Sequence, residues 1–258
     1  VKLLSKSGVT VPPKVLLFDL DGTLLPVEPG FFTGDYPEAA APYFAEFIEP
    51  RTFKQALFKS TWDMVNNLDP DLLNIDAFRI SFERQVGAGW DRLWPVFEQF
   101  YSEGFPKLRS LVPESTIARK VVQECLDQGW EIVLATNALF PEAAVRERMR
   151  WCGVEDLPWK FISTLEAMHF CKPHIQYYQE IVDVAGLDPK RCIMIGNDMQ
   201  EDIVASRLGM KTILVEDFRI DRSEGGSSGA LRPDMRGTLE QVPELVLKIY
   251  ETNAELYR

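Results

Sequence analysis

Five short apolar runs punctuate the chain: Val15-Leu16-Leu17-Phe18, Ile132-Val133-Leu134-Ala135, Phe161-Ile162-Ser163, Cys192-Ile193-Met194-Ile195 and Thr212-Ile213-Leu214-Val215. Their apolar residues are continuous rather than alternating, the pattern of a strand buried on both faces. Helical patterns lie between them. Pro113 to Gln128 places Ile117, Val121, Val122 and Leu126 on one face and stops at Gly129. Pro141 to Cys152 begins with proline in its first turn, His174 to Ala185 ends at Gly186, and Glu201 to Leu208 ends at Gly209. A last helical pattern runs from Thr238 to Tyr257, and residues 1 to 13 read as a tail ending at Pro12-Pro13. Strands alternating with helices predict an α/β fold, a doubly wound parallel sheet covered on both faces.

Residues 26 to 112 break this rhythm. They carry 17 of the 29 aromatic residues and no strand-like run. Phe53, Leu57, Met64 and Leu68 fall at helical spacing, as do Ile75, Phe78 and Phe82, and then Trp90, Trp94, Phe97 and Tyr101, with Pro95 expected at a break or helix start. The stretch reads as a helical domain (26–112) inserted into an α/β core made of residues 1–25 and 113–258. Its aromatic stripe is expected to be the core of a small bundle rather than a ligand surface. The segments 26–34 and 106–113 flank it as hinges. Ser223 to Gly229 is expected to be a solvated loop, since it contains no basic residue.

The polar residues that follow the apolar runs carry the chemistry. The first run ends in Asp19-Leu20-Asp21-Gly22-Thr23-Leu24. Ligands bind at the carboxyl ends of strands in open α/β sheets, and side chains two apart on extended backbone point the same way. Two such carboxylates repel each other unless a cation lies between them or one is protonated. An Asx-turn would explain a single Asp before Gly, but less well two Asp around a leucine. The second run ends in Thr136-Asn137, suited to an oxyanion and equally to a helix N-cap. The fourth ends in Gly196-Asn197-Asp198, with Glu201 and Asp202 beyond it. Aspartate oxygens at one sheet edge suit Mg²⁺. Lys172-Pro173 would place an ammonium near these carboxylates.

Composition narrows the function classes. Lys plus Arg is 28 against 39 Asp plus Glu, a net charge of −11. This disfavours nucleic acid or an anionic membrane as the main partner. No apolar run approaches a membrane span of about 18 residues, and Val1 to Lys6 is too interrupted for a signal peptide, so a cytoplasmic location is expected. The four cysteines (125, 152, 171 and 192) form no CxxC pair, and His169 and His174 are the only histidines. Reduced, buried thiols are expected. Dinucleotide, P-loop, serine-elbow and EF-hand signatures are absent.

Taken in order, Asp19-x-Asp21-Gly22-Thr23-Leu24, Thr136-Asn137, Lys172-Pro173 and Gly196-Asn197-Asp198 with Asp202 resemble the four motifs of the haloacid dehalogenase superfamily, in the branch with a helical cap inserted after the first strand. The resemblance spans about Lys14 to Phe218. It implies a Rossmann-like core, a Mg²⁺ cofactor and a small phosphorylated substrate. It makes Asp19 the nucleophile, forming an aspartyl-phosphate, and Asp21 the acid and base. Asp19, the Asp21 backbone carbonyl and Asp198 would hold Mg²⁺. Thr136, the Asn137 backbone and Lys172 would hold the phosphoryl group, while Gly22 and Thr23 shape the turn and Asp202 supports from behind. Asn197 and Glu201 receive no firm role. Family dehalogenases lack an aspartate at position 21, so Asp21 points to a phosphatase. The alternatives are a phosphomutase or a member without catalysis. The substrate and the oligomeric state are not legible.

Overall fold

The computed structural model describes residues 14–223 and 231–253. The expected tail 1–13, nearly all of the 223–229 loop and the end of the last helix lie outside these. Six parallel strands form one sheet: β1 (Val15–Phe18), β2 (Glu131–Leu134), β3 (Trp159–Ile162), β4 (Cys192–Gly196), β5 (Lys211–Val215) and β6 (Met235–Gly237), in the order β3-β2-β1-β4-β5-β6. β1 is central and fully buried, pairing in register with β2 and β4. Alternation sends Leu16 and Phe18 to one apolar cluster and Val15 and Leu17 to another. Helices α5 (Ile117–Asp127), α6 (Glu142–Trp151) and α8 (Val242–Thr252) contribute to the first cluster, and α7 (Ile175–Ala185) to the second.

The expected strands are therefore present, and the sheet has the doubly wound parallel form that their continuous apolar runs imply. β6 is an addition. Its residues, Met-Arg-Gly, carry no apolar run. Asp234 just before it accepts hydrogen bonds from the Thr212 backbone (2.9 Å) and hydroxyl (3.3 Å), tying it to β5. The expected helix over Glu201 to Leu208 shortens to a 3-10 segment, Ile203–Leu208. The Asp198 carboxylate takes the amides of Gln200 and Glu201 (2.9 and 3.0 Å), which competes with helical bonding there.

Between β1 and α5 the chain is helical: α1 (Tyr36–Ala40), α2 (Pro50–Val65), α3 (Asn74–Val86) and α4 (Trp90–Gln99), with tighter and wider turns at 41–44 and 100–111. Pro95 lies inside α4 and neither breaks nor starts it. The aromatic stripe packs inward. Phe44 stacks on Phe53 (4.6 Å) and meets Phe97 (4.5 Å), while Phe82 lies 5.3 Å from Phe97. This core is continuous with the first sheet cluster, and Phe105 stacks on Trp151 of α6 at 5.2 Å. The start of α3 is bonded directly to the sheet half. The Asn74 and Ile75 amides donate to the carbonyls of Met168 (2.8 Å) and Leu165 (3.1 Å). The buried Asn74 side chain donates to the carbonyls of Phe170 (3.2 Å) and Ala138 (3.4 Å).

The four cysteines are free and buried, as expected. Burial pushes the Cys125 thiol up to about 12. Phe82→Ala should cost about 3–5 kcal/mol in urea denaturation, because a fully buried ring leaves a cavity. Trp62→Ala, where 65% of the residue is exposed, should stay within about 0.5 kcal/mol.

Candidate active site

The sheet reverses its winding between β1 and β4, where a crevice opens at the carboxyl ends of the strands. Asp19 leaves β1 there, its amide still bonded to the Ile195 carbonyl of β4 at 2.9 Å. The next residues form a tight turn closed by Gly22 N to Leu25 O (2.8 Å) and Leu25 N to Leu20 O (2.8 Å). Gly22 has φ +80, and a Cβ there would meet the Asn197 amide nitrogen at 2.3 Å. Both the conformation and the space require glycine.

Asp19 is held from two sides. Lys172 Nζ donates to its Oδ1 at 2.9 Å, and the Thr23 hydroxyl lies 3.0 Å from its Oδ2. That hydroxyl is also 3.1 Å from Asn197 Oδ1, so its single proton serves one acceptor at a time. The Asn197 amide donates to the Phe218 carbonyl (2.6 Å), which aims its oxygen at Thr23. Lys172 is buried and also donates to Asp202 Oδ1 at 2.6 Å. Burial alone would pull its pKa down, but Asp19 and Asp202 outweigh this and hold it well above the usual lysine value. Asp202 is pushed up to about 7 by burial, with Lys172 opposing and Asp19 adding to the rise. Its other oxygen accepts the Asp198 amide at 2.9 Å.

Asn137 bridges two parts of the site. Its oxygen accepts the Lys172 amide (3.1 Å) and its nitrogen donates to Glu201 Oε2 (3.1 Å). Glu201 therefore has a place, as a brace between β2 and the loop after β4. Thr136 is buried behind Asp19, and its carbonyl accepts the Tyr177 hydroxyl at 2.6 Å. Asp198 spends Oδ1 on backbone amides and Oδ2 on Arg222 at 2.7 Å. Asp19, Asp21, Thr136, Asn137, Asp198 and Asp202 all border one cavity of about 270 Å³.

Asp21 has a partner that the sequence reading did not single out. Arg148 of α6 is completely buried, pairs with Asp21 Oδ2, and lies over the Phe140 ring at 4.4 Å. Burial raises the Asp21 carboxyl above its usual value, Arg148 pulls it down, and Asp19 pushes it up. Asp21 Oδ1 and Arg148 Nη2 are each buried without a protein partner. The signal for Arg148 was present in the spacing. Ala144, Val145, Arg148 and Met149 form the inner face of α6, whereas Arg146 and Arg150 face outward in surface pairs. Arg222 carries no comparable signal, because it lies on an irregular loop.

These side chains supply an oxygen-rich pocket with one buried ammonium, a carboxylate it orients, and a second carboxylate paired with a buried guanidinium. Among the described residues no helix is long and apolar enough to cross a membrane. Comparison with known proteins identifies the fold and the family. A curated relative, haloacid dehalogenase-like hydrolase domain-containing protein 3 of Xenopus laevis, is 25% identical over 99 residues, which is 38% of this chain and 39% of that protein's length. The fold is shared with a 2-haloacid dehalogenase from Pseudomonas syringae pv. tomato (TM-score 0.59, 19% identity, 92% of this chain and 99% of that one). It is shared as well with a phosphatase from Thermococcus onnurineus (TM-score 0.54, 16% identity, 90% and 97%). At such identities these structures speak for the fold alone. The profile of the haloacid dehalogenase-like hydrolases matches residues 13–208, well over half of the chain; the protein belongs to that family of hydrolases.

Proposed function

We propose that the protein is a Mg²⁺-dependent phosphatase acting on a small phosphate monoester through a phosphorylated Asp19. The observation that carries this reading is the pairing of an oriented carboxylate, Asp19, with a second one, Asp21, that Arg148 fixes beside the same cavity. A halide leaves without a proton, whereas an alkoxide needs one. Asp21 therefore has work to do in ester cleavage and none in dehalogenation.

Asp19 attacks phosphorus in line with the leaving oxygen, and the P–O bond to that oxygen breaks as the Asp19–phosphorus bond forms. Asp21 gives its proton to the departing oxygen. It then takes a proton from the water that attacks the acyl phosphate, which frees Asp19 and releases inorganic phosphate. One carboxyl must first donate and then accept, and the opposed influences of burial and Arg148 suit that double duty. Lys172, Thr136 and the Asn137 backbone are the groups that would hold the phosphoryl oxygens. Helices α1 to α4, within residues 26–112, act as the cap over the leaving group.

The donor set fits Mg²⁺. Asp19, Asp198 and the Asp21 backbone carbonyl are all hard oxygen donors. No three His, Cys, Asp or Glu side chains converge as ready-made ligands among the described residues, so a backbone carbonyl, water and substrate would have to complete the site. The half-exposed Arg222 is the partner that would yield Asp198 to the ion. When bound, Mg²⁺ neutralises charge on the phosphoryl group and on the carboxylate that attacks it.

Phosphate release from a panel of small esters should depend on Mg²⁺ and vanish with EDTA, and Asp19→Asn should lower kcat by about a thousandfold or more. Absence of release from every ester would remove the phosphatase reading; transfer to another hydroxyl of the same sugar would replace it with a mutase. Lys172→Met should cost about 3–5 kcal/mol in denaturant titration, since two buried carboxylates lose their counter-charge. Arg148→Met should lower kcat by about tenfold to a hundredfold while KM moves by less than about threefold, because Arg148 acts through Asp21. An equal rise in KM would place it in substrate binding instead.

A further inference from the structure

A second cavity, of about 200 Å³, adjoins the acidic one. The two share Phe32, Thr33, Leu139 and Phe140 as walls. Its far side is built by the helical segment: Leu57 and Phe58 from α2, Phe78 from α3, and Trp94 and Phe97 from α4. No charged or amide side chain lines it. Besides the Trp94 indole N–H, its polar side-chain groups are hydroxyls, and two of these, on Tyr36 and Tyr101, are bonded to each other at 2.9 Å. Thr33 and Thr61 supply the others.

The position gives this void a purpose. Asp21 must reach the leaving oxygen, and Asp21, Phe32 and Thr33 border the same acidic cavity. The group attached to that oxygen is then directed past Phe32 and Phe140 into the apolar chamber. A sugar or a hydroxy acid placed there would lose water from several hydroxyls, or from a carboxylate, and find only a few hydroxyls, two of them already paired, and no cation in return. An aliphatic or aromatic group loses nothing and gains burial. The volume suffices for a phenyl ring or a chain of several carbons, since an apolar cavity of about 150 Å³ already accepts benzene.

Resting on the phosphatase reading, we propose that the chamber holds the leaving group and that the substrate class is a phosphate monoester of an apolar alcohol, of arylalkyl or medium-chain alkyl size. Phe32 and Phe140 act as the gate residues between phosphate and chamber. Phe58, Phe78, Trp94 and Phe97 set the shape of the group accepted.

The test is a kcat/KM series on the full chain with Mg²⁺. Ethyl, butyl, hexyl and 3-phenylpropyl phosphate are compared with glycerol 1-phosphate, phosphoglycolate and glucose 6-phosphate. Each added methylene should raise kcat/KM by about fourfold until the chamber fills. Hexyl and 3-phenylpropyl phosphate should exceed glycerol 1-phosphate by about a hundredfold. Thr61→Trp, at a half-exposed position on the chamber wall, should cut the hexyl-to-ethyl ratio at least about tenfold by filling the space. A flat alkyl series, faster turnover of the hydroxylated esters, or an unchanged ratio in Thr61→Trp overturns the chamber assignment while the phosphatase reading stands. Release from none of the esters overturns both, so the two failures are distinct. The wild-type series decides the matter even where Thr61→Trp does not fold.

Discussion

A buried ammonium lies between two buried carboxylates at the centre of this protein. Lys172 meets Asp19 and Asp202 within 3 Å, and each of the three groups would be costly alone in that interior. Together, with both carboxylates ionised, they carry one excess negative charge; burial first, and Asp19 after it, raise the Asp202 carboxyl against the pull of Lys172. The surroundings answer that excess with dipoles. The Asp198 amide faces Asp202, and the Thr23 hydroxyl stands beside Asp19. The Asn137 side chain fixes the Lys172 backbone from the end of β2. Three strand ends therefore meet around one cation, brought together by the sheet order that places β1 between β2 and β4. The Asp19 carboxylate is oriented by a partner on each of its oxygens.

The helical segment completes the site with a different chemistry. Its aromatic core merges with the apolar face of the sheet. Where that merger is imperfect, a void remains beside the acidic cavity. One pocket is rich in charge and the other has none, and Phe32 and Phe140 belong to both. Arg148 lies at this border, its guanidinium over the Phe140 ring and its charge directed at Asp21. The Asp21 carboxyl is thus held against a buried, fixed cation at the border of the two pockets.

Much of this was legible in the sequence. Continuous apolar runs gave β1 to β5, although β3 lies at the sheet edge and is only part-buried, and the polar residues after β1, β2 and β4 lie together as their placement at strand ends implies. β6 escaped because three residues, one of them glycine, have no periodicity to detect. The helix expected from Glu201 was shortened by side chains that bond to its own first amides, a competition that hydrophobic spacing does not register. Pro95 suggested a break, yet it is accommodated within α4. Arg148 was visible only to a reader who asked why an arginine occupies the apolar face of α6. The chamber was not visible at all. Aromatic spacing shows which face points inward, but not where two inward faces fail to fill the space between them.

The hydrogen bonds at the start of α3 have a mechanical meaning. Met168, Leu165 and Phe170 offer their carbonyls to Asn74 and Ile75, and all three belong to the short loop that leads into Lys172. A rigid displacement of α3 must either break that set of bonds or drag the loop with it. The position of α3 and the seating of the Lys172 ammonium are therefore geared to one another. The position of a helix that does not line the acidic cavity is transmitted, through two backbone amides and one asparagine, to the charge beside Asp19.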